Sequence, residues 1–211
     1  MTGTIDRQTF QRLTLIFLID QLPDGVRSSY RLQKLLYYAT RDVDPKPFTF
    51  HFSSQGPYSR DVSVQLLHMF EDDLVQRQVS RNGAGGESRW MAWPGEPWRE
   101  CCDAFAEGLP AHAAAIRDSV ACHARLKRRE IDDNLRRDPR LQGMRRGRVL
   151  LRGQSGSFVS ITLDDEQAED LEIMTRPELL RSMAELNRAV TETDFDTSKV
   201  RRINSLDDYF I

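Results

Sequence analysis

The 211 residues carry 30 Lys and Arg against 32 Asp and Glu, a formal net charge of −2, so the chain as a whole is no polycation. No run is apolar for the roughly 18 residues that a membrane span needs; the longest, 13–22, is broken by Thr14, Asp20 and Gln21. Three cysteines, two of them adjacent (Cys101, Cys102 and Cys122), exclude a disulfide framework and predict reduced thiols in a cytoplasmic protein.

Residues 6–22 predict a first helix, with Phe10, Leu13, Ile16 and Phe17 on an apolar face. Pro23-Asp24-Gly25 ends it. Ser28 or Ser29 then caps a helix carrying Leu32-Gln33-Lys34-Leu35-Leu36-Tyr37-Tyr38-Ala39. Leu32, Leu35, Leu36 and Ala39 fall at i, i+3, i+4 and i+7 on one face, and Gln33, Lys34 and Tyr37 point elsewhere. Two prolines mark 42–47 as loop. Phe48-Thr49-Phe50-His51-Phe52 alternates with period two, as a half-buried extended segment does. Gly56-Pro57-Tyr58-Ser59 follows as a turn and helix start. Gly56 accepts φ > 0, Pro57 holds φ at about −65°, and Ser59 is an N-cap for a helix from Arg60 or Asp61.

This order, LQKLLYYA, an aromatic extended segment, then GPYS opening a helix, resembles the Panacea antitoxin domain, also called the SocA-like or YwgA-like family. Its pattern runs K-L-Q-K-L-x-Y and then F-x-x-x-x-G-P-[YV]-S. Arg31 stands where the family has Lys; Leu32, Gln33, Lys34, Leu35, Tyr37, Gly56, Pro57, Tyr58 and Ser59 match. The resemblance covers about residues 10–125. It implies an antitoxin of a bacterial type II toxin–antitoxin pair, a phage-defence setting, and direct binding of a cognate protein toxin. Leu32, Gln33, Leu35, Gly56, Pro57 and Ser59 would be structural motif residues; Lys34, Tyr37 and Tyr58 would face the partner. For Lys34 and Tyr58 the structural alternative is a snorkelling ammonium and a ring packed beside the turn.

Residues 61–73 predict a third helix with Val62, Leu66, Met69 and Phe70 inward. Leu74–Ser80 and Arg89–Trp93 read as strands around a turn-rich loop, 81–88. Helices followed by a hairpin give the order of a winged helix, the basis of a DNA-binding alternative. Charge opposes it. The loop has Arg81 against Glu87, and Asp61, Glu71, Asp72 and Asp73 make the third helix a poor surface for phosphates. Pro97 and Trp98 begin a helix to about Glu107, and Gly108-Leu109-Pro110 punctuates. Residues 111–137 read as one long helix or two in series.

From Arg125 to Arg152 eleven basic residues stand against four acidic ones, about +7; from Asp164 to Asp196 eleven acidic residues oppose three arginines, about −8. Such asymmetry suggests a partner, or the opposite segment of the same chain; two solvated faces that offset each other are the structural alternative. Arg128, Arg129, Arg145 and Arg146 are the candidates for nucleic-acid contact. The stretch lacks interleaved aromatics, so contact would be to phosphates. Arg148–Arg152 and Ser157–Ile161 read as a second hairpin around 153–156. Asp164–Ile173 is a short acidic helix, whose early carboxylates suit the helix dipole. Thr175, with Glu178 three residues on, reads as the N-cap of a further helix striped by Leu179, Leu180, Met183, Leu186 and Val190. From Thr191 the chain is polar until Leu206–Ile211 and buries too little to fold alone. This helix and tail suit a segment that orders on a partner, through Leu179, Leu180, Met183, Leu186, Tyr209 and Phe210. In composition and order it resembles the toxin-wrapping tails of Phd/RelB-type antitoxins; packing on its own chain is the alternative.

No catalytic arrangement is found: no GxSxG elbow, no GK[ST] phosphate loop, no HExxH. His51, His68, His112 and His123 are scattered and no CxxC occurs, so neither metal nor cofactor is expected. The cysteines read as small core residues. The expectation is an α+β, mainly α-helical protein: a helical domain with a winged-helix-like hairpin over 1–125, a basic-to-acidic extension with a second hairpin over 126–190, and a tail over 191–211. It is not an enzyme, it is not membrane-bound, and its partner is a protein toxin. DNA-binding regulation and a proteolysis adaptor are the alternatives, and a symmetric homodimer stays open. Limited proteolysis of the free protein is expected to cut after about Val190; resistance along the whole chain would mean that the tail is docked.

Overall fold

The chain opens with a strand that no periodicity announces. Gly3–Asp6 (β1) pairs antiparallel with Phe158–Ile161 (β7), Ile5 opposite Val159. Both strands alternate, and Ile5, Val159 and Ile161 all point into the core. The computed structural model describes residues 2–26, 28–80, 87–92, 96–176 and 178, with backbone alone for 77–80, 87–92, 96 and 97. Over these residues the fold is mainly helical α+β, with small two- and three-stranded sheets.

Asp6 turns the strand into Arg7–Asp20 (α1), its carboxylate accepting the Thr9 N–H at 2.7 Å. Instead of one apolar face, α1 is buried all along Thr9–Ile19 and forms the centre of the core. Its polar side chains are therefore paired. Gln11 donates to the Pro47 carbonyl at 2.8 Å, and Thr14 donates back to Phe10. Arg12 donates to the Thr175 carbonyl and, at 2.9 Å, to Asp72. Ser28 caps Ser29–Thr40 (α2). Phe50–Ser53 (β2) and Gly56–Tyr58 (β3) form a hairpin, and Ser59 caps Arg60–Glu71 (α3). Val75–Ser80 (β4) and Glu87–Ala92 (β5) pair in the expected order. Glu96–Gly108 (α4) packs on α1 through Phe105 and Phe17, ring centroids 4.9 Å apart. Pro110–His123 (α5) covers α2, and Arg128–Arg137 (α6) follows. Val149–Leu151 (β6) precedes β7, and Asp165–Met174 (α7) is capped by Asp164.

Several expectations change. The second hairpin does not form: β6 joins β2 and β7 joins β1, in different sheets. The turn between them docks instead on the lead-in to β2. Gly153 N–H donates to Thr49 Oγ1 at 2.9 Å, Gln154 N–H to the Lys46 carbonyl at 2.7 Å, and a Cβ on Gly153 would sit 2.9 Å from Phe48 backbone. As a result residues Met1–Pro177 form one compact unit, with no division near residue 125. Phe70 is 42% exposed, while Val62, Leu66 and Met69 face inward; Phe70 lies about 100° of helix rotation past Met69. Thr175 serves the helix before it, its hydroxyl donating to the Leu171 carbonyl at 2.9 Å. Glu178–Ile211 is a second unit. Its expected contacts, Leu179, Leu180, Met183, Leu186, Tyr209 and Phe210, lie outside the described residues, as does loop 81–86. Among the described residues no helix is long and apolar enough to cross a membrane.

Because β1 closes on a strand more than 150 residues away, the substitution Ile5→Ala should lower unfolding free energy by about 2–5 kcal/mol. Chemical denaturation measures this, and a loss under about 0.5 kcal/mol would mean that β1 frays freely.

Candidate functional site

The two motif segments interlock. Gln33 on α2 grips Ser59 twice: its Nε2 donates to the Ser59 carbonyl and its Oε1 accepts the Ser59 N–H, both at 2.9 Å. Lys34 donates to the Pro57 carbonyl at 2.6 Å. All of this is buried, with Gln33 3% and Lys34 2% exposed. The α2 helix is thus covered on both sides, by α5 and by the β3–α3 corner, where its apolar spacing predicts one buried face. Lys34 and Tyr37 are accordingly not surface contacts for a partner. Tyr37 packs edge-on against Phe50, ring centroids 5.8 Å apart. Tyr58 does face solvent, 42% exposed, with its hydroxyl 3.2 Å from Ser63 Oγ. Arg31 uses its guanidinium on the Ala124 and Leu126 carbonyls, cation to helix C-terminus, and so fixes the link from α5 to α6.

That link sets α6 across from the β2–β3 turn and opens a cleft of about 570 Å³ between them. Arg128, Asp132, Leu135 and Arg136 face it from α6 at i, i+4, i+7 and i+8. The turn residues 53–56 form the opposite wall, Tyr30 and Phe52 supply aromatic surface, and Leu141 and Arg146 complete the rim. Gly56 has φ +83°, and a Cβ there would lie 3.2 Å from Leu135 and 3.7 Å from Lys34 Nζ. Glycine therefore meets both the turn and the close approach of the cleft floor.

Tyr30 couples the charges. Its ring carries the Lys34 ammonium at 4.7 Å and the Arg128 guanidinium at 4.7 Å from the centroid. Its hydroxyl donates to Asp132 Oδ1. Burial, then that bond, push the Tyr30 phenol well above its ordinary range. Burial pulls Lys34 down to about 8; Asp132 opposes this and Arg128 adds to it.

The eleven basic side chains of 125–152 are all exposed. The structure brings Arg128 and Arg146 together at the cleft, and leaves Arg129 and Arg145 off it. Sequence reasoning missed Tyr30, Phe52, Asp132 and Arg136. The 128/132/136 spacing was a legible signal, whereas the aromatics arrive from α2 and β2. Three guanidiniums against one carboxylate and a neutral phenol give the cleft a net positive charge, the chemistry an anion would meet. Cys101 and Cys102 are buried elsewhere, and burial raises both thiols, Cys101 to about 12, away from nucleophilic use. Among the described residues no group of His, Cys, Asp and Glu is placed to hold a metal ion. Comparison with family models, curated proteins and solved structures finds no match.

Lys34 makes stability depend on pH. Its folded value of about 8 lies below the usual 10.5. Between these values the unfolded chain holds the extra proton, so stability rises with pH; below about 8 the cost of a buried charge is present in full. Relative to Lys34→Met, the wild type should gain about 2 kcal/mol from pH 7.5 to 10, read by denaturant titration. A difference that stays flat would show that Lys34 is no more desolvated than a surface lysine.

Proposed function

We propose that this chain is a non-catalytic, cytoplasmic protein-binding domain of the antitoxin type, which masks a cognate protein toxin by steric contact. The observation that carries the reading is the outer face of α3. Val64 is 38% and Leu67 52% exposed, and Tyr58 stands just before the helix. The polar motif residues Gln33, Lys34 and Ser59 are consumed inside the protein, where they hold the start of α3. On this reading the LQK/GPYS pair is the mount, and the apolar stripe it presents is the contact. Arg7 and Arg12 pair with Asp61 and Asp72, which anchors α3 at both ends. A rigid helix with apolar anchors and a charged rim suits a helix-face protein contact. Such a mode needs no ligand, metal or acid–base pair.

A second reading, contact with DNA, is favoured by the eleven exposed basic side chains of 125–152. Here a promoter fragment would bind with strong salt dependence.

Co-expression with the product of the neighbouring gene tests the first reading. The wild type should form a complex with that product and restore growth where the product is toxic. Leu67→Asp and Tyr58→Ala should weaken the complex at least tenfold, by titration calorimetry, with the melting temperature unchanged within a few degrees. No complex and no rescue would reject the antitoxin reading. A complex that ignores both substitutions would move the contact off α3.

A further inference from the structure

We propose that the cleft between α6 and the β2–β3 turn binds a free nucleoside phosphate, with the phosphate on Arg136 and Arg146 and the base against Phe52 and Arg128. The inference stands apart from the antitoxin reading, since the cleft and the α3 stripe share no residue.

Charge identifies the first half of the ligand. Arg128, Arg136 and Arg146 reach the cleft against one carboxylate, Asp132, and Lys34 lies beneath its floor. Guanidinium forks match phosphate oxygens in pairs and are never deprotonated. Arg146 has no acidic partner among the described residues, and the Arg136 pair with Asp133 is exposed at 3.3 Å, so neither guanidinium is bound up internally. Ser53, Ser54 and Gln55 on the facing turn add hydroxyl and amide donors, though Ser53 already donates to the Gly56 carbonyl.

Shape identifies the second half. A site for an inorganic ion alone has no use for aromatic and aliphatic walls, yet Phe52, Leu135 and Leu141 line this one. The Arg128 guanidinium carbon stands 4.7 Å from the Tyr30 ring centroid, a cation–π contact that orders the guanidinium, and Arg128 is otherwise exposed to a planar ring entering the cleft. Asp132 takes the Tyr30 hydroxyl on Oδ1 and no other hydrogen bond among the described residues, leaving Oδ2 for a sugar hydroxyl or an exocyclic amine. The volume, about 570 Å³, lies within the range of roughly 300–1,000 Å³ seen for small-ligand sites. A strand of nucleic acid fits less well, because Glu130, Asp132 and Asp133 interrupt the basic surface of α6.

The test is calorimetric titration of the full chain with ADP, AMP, adenosine and inorganic phosphate, at low and moderate salt. ADP should bind more tightly than AMP, both far more tightly than adenosine or phosphate alone, and the affinity should fall with salt. Arg136→Ala/Arg146→Ala should weaken ADP at least tenfold. Arg137→Ala/Arg148→Ala removes the same charge outside the cleft and should change it less than twofold. Both pairs are exposed, so melting temperatures should not move. No heat with millimolar ADP overturns the proposal. So does equal loss in the two double variants, which would mean diffuse attraction. Binding of a single-stranded oligonucleotide at least a hundredfold tighter than ADP, lost in the same variant, would also overturn it, by making the cleft part of a strand track.

Discussion

A buried helix cannot leave its polar side chains unpaired, and α2 is buried almost all round. An amide or ammonium without a partner in such a place costs about 1–3 kcal/mol or more. Gln33 and Lys34 meet that demand mainly with backbone groups of Ser59 and Pro57, and Gln33 Nε2 also donates to Ser63 Oγ at 3.2 Å. The arrangement is reciprocal. The GPYS corner has buried backbone groups of its own, and the two amide bonds of Gln33 satisfy both the carbonyl and the N–H of Ser59. One side chain thus sets the position of β3, of the α3 N-terminus, and of everything α3 displays.

Around this lock the fold is closed by long-range pairs. β1 meets β7, β2 meets β6, and Arg12 at the centre of α1 ties the end of α3 to the end of α7. A buried guanidinium with two acceptors is worth keeping only where the geometry is held from several sides, as it is here. Asp6 works similarly at the surface of the same cluster, capping α1 with one oxygen and pairing with Arg176 through the other. Residues 126–177 therefore belong to the body of the protein.

The two candidate surfaces grow from the same lock in different directions. On one side the α3 face carries Val64 and Leu67 outward beside the exposed His68. On the other side the β2–β3 turn faces α6, and the space left between them collects cations and aromatics from α2, β2, α6 and the loop that follows α6. Lys34 belongs to neither surface, yet it stabilises the wall they share and carries its charge at a cost. Ligands on these two faces of one corner would have a physical route to affect each other.

Local patterns were readable in the chain: the helices, the Ser28 and Ser59 caps, the break at 108–110 and the β4–β5 order. These depend on side-chain period, capping chemistry and backbone restriction, all of which act within a few residues. The partners of β6 and β7 were not readable, because two short alternating strands around glycines look like a hairpin until distant strands compete for them. Nor was the burial of Lys34 and Tyr37, since helical period tells which residues share a face but not how many faces are covered. The cleft shows the same division: the spacing of Arg128, Asp132 and Arg136 lay in the sequence, while the rings that line it came from elements 75 or more residues away. Periodicity is local and so belongs to the sequence; the choice among distant partners is made only when the whole core closes.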